Sequence, residues 1–169
     1  LPGGFSYGDY LRSGALAALS PVMDSLLEAA GKGYPVFGIC NGFQILCEVG
    51  LLPGALLKNK KGRFIDQWVT LKLENPSRWS PFEKGNTYAM PMAHADGRFY
   101  ISGEEAKKLE DNQQIWLSYS QNPNGSVMDI AGVMNPNKNV VGMMPHPDRA
   151  LFPWMGSDQG LAFFDWQEG

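Results

Sequence analysis

The chain contains 169 residues, a length typical of a single domain that can bury its own hydrophobic core. Only 18% of the residues are charged and the formal net charge is −3, so the composition lacks the basic surface that nucleic acid binding requires. The longest apolar stretch without a charge, residues 33–47, is too short and too polar to span a bilayer.

The first half predicts helix, strand and helix in that order. Ser20 is expected as the N-cap of a helix with Pro21 in its first turn, and an apolar face continues through residues 22–30. Residues 35–39 form the short apolar run of a buried parallel strand. Residues 41–49 predict a second helix, which the following glycine and proline would end.

The second half predicts mostly strands. Alternating apolar residues over 65–73 indicate a half-buried strand. Further strands are expected over residues 87–92, 114–119, 130–134 and 140–144. Residues 104–110 predict a short helix, and Ser157 with Asp158 can cap a last helix.

This order of elements predicts an α/β fold, a three-layer sandwich around a mainly parallel twisted sheet with an antiparallel extension. In such sheets, functional groups lie at the carboxyl ends of the strands. Three segments are expected at that edge, namely residues 1–4, 39–40 and 144–146.

Residues 38–44, Gly-Ile-Cys-Asn-Gly-Phe-Gln, place Cys40 where a strand turns into a helix. Gly38 and Gly42 permit the tight turn of a nucleophile elbow, with Cys in place of Ser. The helix N-terminus is expected to lower the pKa of the thiol, and the backbone N–H of Asn41 to point at an oxyanion. The alternative is a buried structural cysteine.

A cysteine nucleophile needs a base, and the chain has two histidines. His146 follows a predicted strand between two prolines, and Asp148 can accept a hydrogen bond from its imidazole. His94 has the same spacing to Asp96. Spacing favours His146 as the base, while either histidine can instead be an ordinary loop residue.

The remaining polar segments are less specific. The glycine-rich residues 1–9 can lend a second N–H to an oxyanion hole or form a plain turn. Residues 122–126 can line a substrate pocket, although an ordinary turn is favoured. Cys47 is expected to pack in the core, too far along the helix from Cys40 for a disulfide. The cysteines and histidines lack metal-ligand spacing, so no metal site is expected.

Together these segments resemble the class I glutamine amidotransferases of the triad type, which have a flavodoxin-like fold. Residues 38–44 match the family signature G-x-C-x-G-x-Q, and His146-x-Asp148 resembles its His-x-Glu. Within the family, the glutaminase subunits of phosphoribosylformylglycinamidine synthase are the most similar. The segments that carry this resemblance are residues 1–9, 38–44, 122–126 and 142–147.

The resemblance implies a subunit that hydrolyses glutamine to glutamate and ammonia and delivers the ammonia to a synthetase in purine biosynthesis. The catalytic residues that it implies are Cys40, His146 and Asp148. It also implies an oxyanion hole made by Asn41 with Gly3 or Gly4, and a substrate pocket shaped by Gln44. No cofactor is expected in this subunit, whereas ATP and magnesium are expected on the synthetase, and a small third subunit is expected to complete the complex.

The sequence departs from the family pattern in three places. Asp148 stands where the family has Glu, which moves the carboxylate by about 1.5 Å. Residues 94–98, His-Ala-Asp-Gly-Arg, replace His-Gly-Glu-Gly-Arg. The family has a strand, a helix and another strand before the segment that matches residues 1–4. We therefore expect residues 1–169 to be one amidotransferase domain without that first strand–helix–strand.

Two other functions stay open at this level. One is a different cysteine hydrolase on the same scaffold, such as a peptidase or deglycase, although those relatives place the catalytic histidine where this chain has Asn41. The other is a truncated, non-catalytic subunit that only binds the synthetase. The lack of a secretion signal and of a disulfide framework predicts a reducing, cytoplasmic setting for any of them.

Overall fold

A computed structural model describes residues 1–79 and 83–164 of the chain. The α-helices of this part of the chain are α1 (Val22–Gly31), α2 (Asn41–Glu48) and α3 (Gly103–Asp111). Its strands are β1 (Val36–Ile39), β2 (Ala55–Leu57), β3 (Ile65–Leu73), β4 (Thr87–His94), β5 (Arg98–Tyr100), β6 (Ile115–Tyr119), β7 (Ile130–Met134) and β8 (Val140–Met143).

The main sheet has six strands in the order β1-β8-β7-β6-β3-β4. β1 and β8 are parallel, and each other neighbouring pair is antiparallel. The other edge of β1, opposite β8, is hydrogen-bonded to Leu1. The Leu1 amino group donates to the Phe37 carbonyl at 2.7 Å, and the Ile39 N–H donates to the Leu1 carbonyl at 3.0 Å. The predicted α/β class with an antiparallel extension is confirmed.

Helices cover both faces of the sheet at β1. Gly38 faces α2, where an added Cβ would lie 2.6 Å from a methyl group of Leu46. On the other face, Phe37 meets Phe164 of a 3-10 helix, Gln159–Phe164, with ring centroids 5.9 Å apart. The sheet is therefore the middle layer of three, and the carboxyl ends of β1 and β8 lie side by side.

Most predicted elements form at the expected places, with three differences. Ser20 is extended and Pro21 has helical backbone angles, so the chain enters α1 where the sequence predicts, but no side-chain hydrogen bond caps the helix. The last helix is 3-10 rather than α, although Ser157 does accept a hydrogen bond from the Gln159 N–H at 3.1 Å. The strands β2 and β5 pair with each other and were missed because each has only three residues, too few to show a periodicity.

Within residues 1–79 and 83–164, no helix is both long enough and apolar enough to cross a membrane.

Candidate active site

Cys40 lies between β1 and α2 in a backbone conformation that is rare for a residue with a side chain. Its φ is 51° and its ψ is −106°. The turn is held by the Cys40 N–H, which donates to the carbonyl of Met143 on the parallel strand β8 at 2.8 Å. Strained residues of this kind persist only where the surroundings enforce them, and they cluster at functional sites. The predicted sharp strand-to-helix turn is confirmed.

Two glycines make this turn sterically possible. A Cβ on Gly38 would lie 2.8 Å from the carbonyl carbon of Gly42, so the strand and the helix touch backbone to backbone. A Cβ on Gly42 would collide with the carbonyl oxygen of Leu1. The elbow therefore requires glycine at both positions for packing reasons, whatever the role of Cys40.

The expected lowering of the Cys40 pKa is not found. Burial raises the pKa of the thiol to about 11, and this effect outweighs the Asn41 backbone hydrogen bond and the charge of Arg149, which both favour the thiolate. The carboxylates of Asp148 and Asp9 raise the pKa further. The prediction was wrong because it considered only the helix N-terminus, which lowers the pKa. The sequence does not show the burial of Cys40, whose 6% exposure raises the pKa by desolvation.

His146 follows β8 and is buried. Its backbone N–H donates to the Pro91 carbonyl of β4 at 2.8 Å. Its Nδ1 lies 3.2 Å from Asp148 Oδ1, at the long end of the range for a hydrogen bond. Burial alone would raise the pKa of Asp148, but the hydrogen bond and the charge of His146 keep it below the ordinary value. The shorter aspartate side chain therefore does reach the imidazole.

Gly3 brings the cysteine and the histidine together. A Cβ on Gly3 would lie 2.6 Å from His146 Cε1 and 3.4 Å from Cys40 Cβ, so the glycine backbone packs against both side chains. In the part of the chain that the structure describes, the buried His146 Nε2 has no hydrogen-bond partner, and Cys40 Sγ lies 3.9 Å from the carbonyl oxygen of Ala93. The thiol and the imidazole are thus neighbours that are not hydrogen-bonded to each other.

Asn41 and Gln44 are both buried and belong to one hydrogen-bond network. The Asn41 side-chain amide donates to Gln44 Oε1 at 2.9 Å, and Gln44 Nε2 donates to the Asp96 carbonyl at 2.6 Å. Asn41 Oδ1 accepts from the Ser6 N–H of the glycine-rich segment at 3.3 Å. Gln44 therefore links Asn41 to the turn at Asp96. Gly4 has no atom near the position of an added Cβ.

His94, the other candidate base, lies in the same region without a polar partner for its ring. Both of its ring nitrogens are buried and unpaired among the described residues. Burial and the charge of His146 lower the pKa of His94 to about 4. The Asp96 carboxylate accepts from Ser13 Oγ at 3.1 Å instead. The structure thus pairs His146 with a carboxylate two residues on and leaves the ring of His94 without a polar partner among the described residues.

Two buried asparagines lie beside the site, Asn124 in the 122–126 segment considered from the sequence and Asn59, which no motif indicated. Asn59 binds the end of β4 and the turn after it at three points, and Asn124 donates to the Gly97 carbonyl of that turn at 2.9 Å. The 122–126 segment that contains Asn124 therefore forms a turn that contacts the site indirectly, through Gly97. A lone asparagine in a loop carries no signal in a single sequence, because its burial depends on distant parts of the chain.

Cys47 lies partly buried against the hydrophobic core, as expected, and its Sγ lies 3.6 Å from the Pro53 carbonyl oxygen. Both cysteines are free thiols. Across the described ranges, no three His, Cys, Asp or Glu side chains gather in a way that could hold a metal ion.

Comparison with known proteins identifies the class. The family model for the CobB/CobQ-like glutamine amidotransferase domain matches residues 1–166, and the chain therefore belongs to this family of glutamine amidotransferases. The family resemblance predicted from the sequence is confirmed.

Within this class the chain is similar to PurQ. The phosphoribosylformylglycinamidine synthase subunit PurQ of Aquifex aeolicus (strain VF5) is 53% identical over 172 residues, which cover 95% of this chain and 76% of that protein. The structure of PurLQS from Thermotoga maritima matches with a TM-score of 0.89 at 46% identity, over 97% of this chain and 74% of the matched one. A second Thermotoga maritima structure, a glutamine amidotransferase at 18% identity, matches with a TM-score of 0.53 over 89% of this chain and 54% of its own, and it supports the fold alone.

Proposed function

We propose that the chain is the glutaminase subunit of a phosphoribosylformylglycinamidine synthase. In this role it hydrolyses glutamine to glutamate and ammonia, and the ammonia passes to a synthetase subunit that makes formylglycinamidine ribonucleotide. The observation that carries the proposal is the packing of Gly3 against both Cys40 and His146, because it sets a thiol and an imidazole side by side at the strand ends. The likeness to PurQ supports the choice of pathway.

The first half of the proposed reaction forms a thioester. His146 takes the proton of Cys40, and the thiolate attacks the amide carbon of glutamine. The N–H of Asn41 and an N–H from Gly3 or Gly4 stabilise the oxyanion that results. When the C–N bond breaks, protonated His146 gives its proton to the leaving nitrogen, which departs as ammonia.

The second half regenerates the enzyme. His146 takes a proton from water, the hydroxide attacks the thioester carbonyl, and the C–S bond breaks to release glutamate. Protonated His146 then returns this proton to the Cys40 thiolate, which restores both groups. Asp148 orients the imidazole in both halves, because its carboxylate accepts from Nδ1 and leaves Nε2 free to exchange protons with the sulfur, the nitrogen and water.

No cofactor is needed for these steps in this chain, and we assign ATP and magnesium to the synthetase, together with a small third subunit in the complex. The raised pKa of Cys40 means that the thiol of the free chain is almost fully protonated at neutral pH. Since His146 Nε2 has no partner among the described residues, binding of substrate or synthetase is proposed to bring it within hydrogen-bond distance of the sulfur. A cytoplasmic location fits two free cysteines, one of which must stay reduced.

The test is hydrolysis of glutamine by the chain with and without its synthetase, together with the intact mass after treatment with a diazo-ketone analogue of glutamine. One adduct is expected, and excess glutamine should prevent it. Cys40→Ala should abolish both the adduct and glutamate release. Cys47→Ala is the matched control, since it removes the other free thiol of the same helix region, and it should retain both.

Labelling of the Cys40→Ala variant would contradict the proposal. Glutamine-dependent synthesis that survives this substitution alongside ammonia-dependent synthesis would contradict it as well. A wild-type chain that binds the synthetase but releases no glutamate and forms no adduct would instead support the non-catalytic subunit. Peptide cleavage without glutamine hydrolysis would support the other cysteine hydrolase.

A further inference from the structure

Residues 93–97 are the last two residues of β4 and the tight turn that follows them, and they touch the proposed active site at two points. The carbonyl oxygen of Ala93 lies 3.9 Å from Cys40 Sγ. The carbonyl oxygen of Asp96 accepts the 2.6 Å hydrogen bond from Gln44 Nε2. Any displacement of this turn therefore reaches the nucleophile directly and reaches the start of α2 through Gln44.

The side chains of the turn do not hold it in place by themselves. His94 has no polar partner among the described residues, and its ring folds back onto Gly97, where an added Cβ would collide with it. Asp96 is held by Ser13 from a different segment. Apart from the Asp96–Ser13 bond, the polar contacts of residues 93–97 are made by their backbone groups.

Asn59, in the connection between β2 and β3, makes three of these backbone contacts. It is 2% exposed, and its backbone N–H donates to the Ala95 carbonyl at 2.8 Å. Its side-chain Nδ2 donates to the His94 carbonyl at 2.9 Å, and its Oδ1 accepts from the Gly97 N–H at 3.4 Å. The second Nδ2 proton goes to the Arg63 carbonyl at 2.9 Å.

One residue thus binds three backbone groups of residues 93–97, through its backbone N–H, one Nδ2 proton and Oδ1, while the other Nδ2 proton ties it to Arg63. The order of contacts runs from Asn59 to the turn, from the turn to Gln44, and from Gln44 to Asn41, whose N–H is the proposed oxyanion donor. Asn41 Oδ1 in turn binds the Ser6 N–H of the glycine-rich segment. No other described side chain binds the turn at more than one residue.

We propose that Asn59 is a positioning residue for glutamine hydrolysis: it holds the turn 93–97 against Cys40 and Gln44 and thereby sets the oxyanion N–H of Asn41. It touches neither substrate nor the reacting atoms. The inference rests on the proposed glutaminase function. Misplacement of catalytic groups by about 1 Å costs on the order of 100-fold in rate, so loss of this contact acts on turnover before it acts on folding.

The experiment compares Asn59→Ala with Asn139→Ala. Asn139 is an equally buried asparagine that also donates to two backbone carbonyls, those of Ala30 and Tyr34, but it lies before β8 at the opposite end of the sheet from Cys40. The two substitutions remove similar interactions and should lower the melting temperature to a similar degree. Only one of them should affect catalysis.

We expect Asn59→Ala to lower kcat for glutamine by about tenfold or more, with a smaller change in KM, in the complex with the synthetase and well below the melting temperature. The adduct with the diazo-ketone analogue should form more slowly by a similar factor, while alkylation by iodoacetamide should stay within about twofold, because this reagent needs no oxyanion hole. Asn139→Ala should keep the wild-type kcat.

Equal kcat values for the two variants at matched loss of melting temperature would overturn the inference. If Asn59→Ala does not fold, Asn59→Asp replaces it and the same kcat comparison applies. Aspartate has the size of asparagine but lacks the two hydrogen bonds that Nδ2 donates. A wild-type complex that shows no glutamine hydrolysis defeats the proposed function, whereas an active wild type with an unaffected Asn59 variant defeats this inference alone.

Discussion

At the scale of single residues, burial decides the chemistry of Cys40 more than its position at a helix N-terminus. The Asn41 N–H favours the thiolate, but the side chain is almost completely removed from water, and the net pKa rises to about 11. A thiol that is neutral at rest is protected from adventitious oxidation, because the thiolate is the reactive form. It must also be deprotonated by His146 on demand.

This predicts the pH dependence of alkylation of the free chain. With Cys47→Ala as the background, so that Cys40 is the only thiol, the rate of reaction with iodoacetamide should rise about tenfold per pH unit from pH 7 to pH 9 without levelling. The rise follows because the thiolate fraction grows with pH until the pKa of about 11 is reached. A plateau below pH 9 would show that the thiolate is already stabilised in the free chain.

At the scale of elements, the contact between β1 and α2 positions the nucleophile. Gly38 packs against Leu46 and against the backbone of Gly42, so the helix can begin directly above the strand end. This close contact, and not helix propensity, fixes the angle at which α2 leaves the sheet. The strained backbone of Cys40 follows from it.

We therefore expect Gly38→Ala to lower the free energy of unfolding by about 1–3 kcal/mol, because the added methyl overpacks this contact. Gly31→Ala is the control, since a Cβ at the end of α1 would meet no atom within 4 Å, and alanine there should change stability by less than about 1 kcal/mol. Urea denaturation of both variants measures the difference. Equal stability of the two variants would show that the strand and helix can separate without cost.

At the scale of the whole molecule, the 3-10 helix Gln159–Phe164 joins the sheet to the loop of the proposed triad. Phe163 is fully buried against Trp116 and Tyr88. The Gly160 N–H donates to the Ala150 carbonyl at 2.7 Å, just beyond the segment that holds Asp148. The 3-10 helix, packed on the sheet through Phe163, thus helps to position the loop that carries His146 and Asp148.

Phe163→Ala should cost about 3–5 kcal/mol of stability, as expected for a large aromatic side chain removed from a closed core. Phe164→Ala is the neighbouring control. Its side chain is 42% exposed, so we expect a loss of about 1 kcal/mol. Chemical denaturation gives both values, and a loss for Phe164→Ala as large as that for Phe163→Ala would contradict this account of the packing.

The elements whose sequence signals are local could be predicted before the structure was known. The apolar run of β1, the alternation in β3, the glycines around Cys40 and the His146-x-Asp148 pattern were readable because strand and turn preferences act over a few residues. The family resemblance came from the order of such segments. Three-residue strands such as β2 escaped because so short a run has no period.

Only the tertiary structure decided how these segments act together. Three features depend on burial and on contacts between residues far apart in the chain. They are the pKa of Cys40, the pairing of His146 rather than His94 with a carboxylate, and the hydrogen bonds from Asn59 to residues 93–97. Desolvation and hydrogen-bond pairing are properties of the packed molecule. A motif names the groups that can react, and the packing around them sets their protonation and their distances.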